Sequence, residues 1–147
     1  MAIWEWVLEA YARPGVPEAT LKLQDAHGQN TSFLLWAVYA EANDPGLLAR
    51  GAEAARAWDA TALKPLRDVR RALKSPLPPF DDDARLAFRK DVNRLELEAE
   101  RLLMETLEGL ADGRGGAAAL EALEAASAAW ERPAPADALA ELAAALG

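Results

Sequence analysis

No cysteine occurs in the chain. Disulfides, thiolate metal sites and cysteine nucleophiles are therefore excluded together, and a reducing, cytoplasmic setting is expected. Histidine occurs once, at His27. One imidazole cannot build a His-rich metal centre, and the Glu-x-x-His pairing of carboxylate di-iron bundles is missing. No metal, no cofactor and no catalytic residue is expected. The longest apolar run, Phe33 to Ala40, falls well short of the ~20 residues of a membrane helix. Met1 to Trp6 has neither the basic region nor the apolar stretch of a secretory leader. Gly-rich phosphate loops, Gly-x-Ser-x-Gly elbows and Asp-rich calcium loops are also absent. Asp81-Asp82-Asp83 is contiguous, so its side chains diverge, and it reads as a helix start.

Positive charge is scarce as well. Lys and Arg total 16 against 24 Asp and Glu, a formal net charge of -8. Such a chain is repelled by nucleic acid and by anionic lipid, which reward cations through counterion release. A partner protein is the remaining class, and neither membrane nor nucleic acid is expected. What the chain does have is apolar mass: 52% of its 147 residues are hydrophobic, enough for a core, although many are Ala.

Periodicity and punctuation predict an all-α compact bundle of six to eight helices. Ile3, Val7 and Tyr11 recur at helical spacing, and Arg13-Pro14-Gly15-Val16-Pro17 stops that helix. A second helix runs from Pro17 to His27, with Gly28 as its left-handed cap. Asn30 or Thr31 caps a third, about Ser32 to Ala42, which is apolar on every side and so belongs at the centre. Asp44 and Pro45 open a fourth helix ending near Trp58. A fifth lies between Ala60 and Lys74, with an apolar stripe of Leu63, Leu66, Val69 and Leu73. Ser75 to Phe80 is a proline-rich linker. Asp81 then starts a long spine helix to about Leu110, with an expected seam of Phe88, Val92, Leu95, Ala99, Leu102, Thr106 and Leu110. Residues 1–112 are read as a helical core domain. Residues 113–147 are read as an Ala-rich helical pair docked on it.

Three constellations could carry function. The first is the helix junction of Gln24, Asp25, His27 and Asn30, with Arg13 upstream. A carboxylate beside the only histidine can act as a general base, while caps and turns explain the same residues structurally. The second is Lys64, Arg67, Arg71 and Lys74, joined by Arg70. Their spacing puts cations on one helix face, suited to an acidic partner or to an internal ion-pair seam with the long helix. The third is the pair Trp4 and Trp6. Two residues apart, they cannot both be buried on one helix face, so one marks an interface or packs on the tail.

Several blocks resemble a known family. Tyr11-Ala12-Arg13-Pro14-Gly15-Val16, Leu21 through Asn30 and Leu34-Leu35-Trp36 are similar to the proteobacterial domain of unknown function 2390 family. Pro65 through Lys74 and Glu96 through Arg101 extend the likeness, which covers about Ile3 to Leu107. The resemblance implies a compact helical unit and brings no activity, cofactor or site residue with it.

The reading is a non-enzymatic helical interaction protein, an adaptor or regulator. It uses the basic face (Lys64, Arg67, Arg70, Arg71, Lys74) and Trp4 or Trp6. The alternative is a small anionic-ligand binder or enzyme using Asp25 and His27 with nearby arginines. A homodimer stays open, because an apolar seam on the long helix suits one as well as an intramolecular hairpin.

Overall fold

Proline and glycine set the first reversals. Pro14 and Gly15 follow α1 (Ile3–Tyr11), and Gly15 takes a left-handed φ of 89° just before α2 (Val16–His27). Pro17 lies in the first turn of α2, where its missing N–H leaves no bond unmade. Gly28 closes α2 with a φ of 63°. The Asn30 side chain accepts from the Phe33 amide at 3.0 Å and caps α3 (Thr31–Tyr39). Asp44 caps α4 (Pro45–Trp58) in the same way, at 2.8 Å from the Leu47 amide. The computed structural model describes all of residues 1–147.

The expected break after Trp58 is absent. The chain passes through a π turn (Asp59–Leu63) directly into α5 (Lys64–Ala72). Pro65 supplies the reason: it has no N–H to offer the Thr61 carbonyl, so the ordinary helical ladder fails just ahead of it. The Lys64 amide instead bonds to the Asp59 carbonyl five residues back. Asp81 then caps α6 (Asp82–Glu108). Its 27 residues make a rod of about 40 Å. Two further helices, α7 (Ala119–Ala129) and α8 (Ala136–Leu146), complete an all-helical architecture.

Helix α3 occupies the centre, packed against α1, α2, α4, α6 and α7. Ser32 through Ala37 are all buried. Gly51 lets α4 come this close, since a Cβ there would lie 2.5 Å from Trp36 Cζ3. Helix α7 covers α3 and α4, and α8 covers α2. Polar bonds tie this C-terminal pair in place. The Trp130 indole donates to the Gly28 carbonyl at 3.0 Å, and the Gln29 side chain donates to the Arg132 carbonyl at 2.6 Å. One connected set of 29 buried apolar residues runs from Ile3 to Leu146.

The seam expected on α6 is displaced. Val92, Ala99, Leu103, Met104 and Leu107 are buried, whereas Phe88, Leu95 and Leu102 are exposed. The helix carries more apolar residues than one face can use, so its rotation is chosen by specific bonds. The Glu108 carboxylate accepts from Tyr39 Oη at 2.8 Å and from the Ile3 amide at 2.9 Å. The Trp58 indole donates to the Ala99 carbonyl at 2.8 Å. These bonds hold the Ala99–Leu103–Leu107 side against the core.

Candidate functional site

Two features exceed what folding needs: an apolar hairpin and a polar cavity. The hairpin is α5 with the N-terminal half of α6. Polar bonds zip it together. Arg70 Nε donates to Glu96 at 2.7 Å, Arg89 Nε to the Arg70 carbonyl at 3.1 Å, and Arg85 Nη1 to the Leu73 carbonyl at 2.5 Å. Its outer surface is apolar. Of the twelve large hydrophobic side chains that are exposed, eight lie between Val69 and Leu102. Phe80 is 68% exposed and Phe88 56%. Leu73, Leu77, Phe80, Ala84 and Phe88 line a groove of about 380 Å³ at the tip, beside Asp81 and Arg85. From there Phe88, Leu95 and Leu102 repeat every seven residues and so share one side of α6. Exposed Asp91, Glu98 and Glu105 run beside them at the same spacing, the last two paired with Arg94 and Arg101.

The basic row of α5 divides in the fold. Lys64 and Lys74 are exposed. Arg70 is committed to Glu96, and Arg71 lies 3.9 Å from Asp25 across to α2. Arg67 turns toward the cavity described next. Trp4 and Trp6 are both half-buried against the core rather than free. The Arg101 guanidinium sits 5.7 Å over the Trp4 ring, and the Trp6 ring is 5.7 Å from that of Tyr39.

The cavity, of about 120 Å³, lies where α2, α3, the π turn and the base of the hairpin meet. Gln24 and Asn30 from the polar junction line it, with Ser32, Asp59, Arg67 and Glu100. Burial pushes the Glu100 carboxyl up to about 7, and the neighbouring Glu96 adds to the rise against the pull of Arg67 and Arg70. A group titrating there can exchange a proton near neutral pH. None of the seven ion pairs in the protein involves Asp59, Arg67 or Glu100.

The other junction residues go elsewhere. Asp25 is exposed beside Arg71. His27 lines a separate open depression with Arg132 and Pro133. Arg13 donates to the Leu146 carbonyl at the end of α8. Gln24 and Asn30 alone of these five share the cavity. Sequence reading missed Asp59 and Glu100. Asp59 continues the end of α4 and opens the π turn. Glu100 carried a readable signal, since with Glu96 it falls on the Val92–Ala99–Leu103 side of α6. Nowhere do three or more His, Asp or Glu side chains converge as a metal site would require.

A family model described as "Protein of unknown function (DUF2390)" matches residues 2–107. The chain belongs to this family. No curated protein and no solved structure matches it. The matched stretch of this DUF2390 member contains the whole hairpin and every cavity residue except Trp130. It ends in the last turn of α6, before α7 and α8. No helix is long and apolar enough to cross a membrane.

Proposed function

We propose that this DUF2390 member is a non-enzymatic docking protein whose α5–α6 hairpin binds a basic amphipathic helix of a partner protein. One observation carries the reading: exposed apolar side chains concentrate on the hairpin, on a surface the core does not use. A strip of this kind is costly in water unless something covers it. Its heptad spacing suits a partner helix with apolar residues at i, i+3 or i+4, and i+7. The rim sets the partner's charge. Asp81 lines the groove, exposed Asp83 lies two residues on, and exposed Asp91 follows the strip, where Glu98 and Glu105 are already paired with Arg94 and Arg101. Lys and Arg flanks on the partner would pair with Asp81, Asp83 and Asp91, and the net charge of -8 would speed the encounter. Arg70 of α5, with Arg85 and Arg89 of α6, serves this surface from within by zipping the hairpin.

A labelled Lys/Leu amphipathic helix tests the reading, beside a Glu/Leu helix with the same apolar face. The expected result is salt-dependent binding of the basic peptide alone. Phe80→Ser with Phe88→Ser should weaken it by about tenfold or more while helicity is retained. Equal binding by that variant overturns the proposal. So does sedimentation showing that the native chain seals this strip in a stable dimer.

A further inference from the structure

We infer that the cavity at the base of the hairpin is a binding site for a small zwitterion of the α-amino acid type. The inference is independent of the hairpin surface and stands on different residues.

The charge pattern of the walls selects the ligand. Arg67 presents a guanidinium, and Asp59 and Glu100 present carboxyl groups, all three outside any internal ion pair. An inorganic anion would meet Arg67 but face two acids. A simple cation would meet the acids but face Arg67. A metal ion lacks a converging set of three ligands. A molecule with a carboxylate at one end and an ammonium at the other satisfies all three groups. Its carboxylate would take the planar Arg67 fork, and its ammonium would donate to Asp59 and Glu100. Gln24 adds an amide that makes no other side-chain hydrogen bond in the fold, and Ser32 adds a buried hydroxyl.

Size agrees with charge. A cavity of about 120 Å³, where a single water needs only about 10–15 Å³ on the same measure, admits a small molecule such as glycine or alanine. The Glu100 carboxyl supports the same ligand. It lies well above the ordinary carboxylate range because burial and Glu96 outweigh Arg67 and Arg70. A ligand ammonium would supply the missing countercharge. The π turn is a second pointer, since such insertions recur at functional sites and this one runs along the cavity from Asp59 to Leu63.

The test is amide-shift titration of the full chain with each of the twenty amino acids. Acetate, methylammonium and inorganic phosphate serve as controls. Saturable shifts at Gln24, Asn30 and Ser32 are expected with glycine or another small amino acid. Acetate and methylammonium should bind about tenfold or more weakly. Arg67→Met should abolish the shifts, whereas Lys64→Met, at an exposed residue of the same helix that does not line the cavity, should leave them intact. If Arg67→Met unfolds, Gln24→Ala replaces it, with the same loss expected. Absence of saturable binding by any amino acid overturns the inference. So does binding of phosphate or acetate as tight as that of the zwitterion, or undiminished binding by the cavity variant.

Discussion

Arg70 Nε and the Glu96 carboxylate meet at 2.7 Å between α5 and α6, with side-chain exposures of only 24% and 12%. A charge-assisted bond this far out of water contributes about 1.5–3 kcal/mol. Arg70→Met should destabilise the protein by about 2 kcal/mol in urea unfolding. Amides of Arg89 to Glu96 should exchange sooner than those of Leu103 to Leu107, because the loss is confined to the hairpin. Uniform acceleration across α6 would count against this account.

Glu100 makes stability depend on pH. An acid raised from 4.5 to about 7 in the folded state holds more protons folded than unfolded between those values. The folded state is therefore favoured by acid, and stability falls as pH climbs through that window. The full change is on the order of 3 kcal/mol. Glu100→Gln should flatten this part of the profile and be the more stable protein at pH 8. Parallel profiles for the two proteins would remove Glu100 as the source.

Gly51 faces opposing effects on substitution. In a helix interior, Ala outranks Gly by about 1 kcal/mol. At this position the new methyl would sit 2.5 Å from Trp36 Cζ3 and 3.1 Å from Phe33 Cε1. Both rings are fully buried and cannot yield. Packing should win, with a net loss of about 1–3 kcal/mol and a lower Tm. An unchanged Tm would mean that α3 and α4 separate more easily than their packing implies.

Ser127 joins the C-terminal helices to the junction after α2. Its hydroxyl donates to Gln29 Oε1 at 3.1 Å and accepts from the Ala134 amide at 2.7 Å. Ser127→Ala would leave the buried Gln29 carbonyl oxygen and the half-buried Ala134 amide unpaired, a loss of about 1–3 kcal/mol. A chain ending at Asp112 would also bare the faces of α3 and α4 that α7 covers. That truncation should bind a hydrophobic dye and unfold without cooperativity. A sharp thermal transition in it would make residues 1–112 an independent unit.

Much of the fold was legible because its signals are local. Asn30, Asp44, Asp81 and Gly28 are caps whose chemistry acts within one turn, and the structure uses each as the sequence suggests. The rotation of α6 was not legible. It is settled by Tyr39, Ile3 and Trp58, which are 41 to 105 residues away from their partners on that helix. The candidate site failed in the same way. Gln24 and Asn30 belong to a readable block, but Asp59 and Glu100 join them only through the tertiary packing of α4 and the rotation of α6. The block's most chemical-looking residues, Asp25 and His27, diverge because they sit two apart on a helix.

The long helix is gripped by the core at one end only. From Ala99 to Asp82 it extends about 25 Å at the helical rise. A bend of ten degrees at Ala99 would therefore swing the Phe80 groove by about 4 Å. Arg67 and Glu100 stand beside that pivot, one on each arm of the hairpin. Whatever fills the space between them acts at the short end of a lever, and the apolar groove rides at the long end.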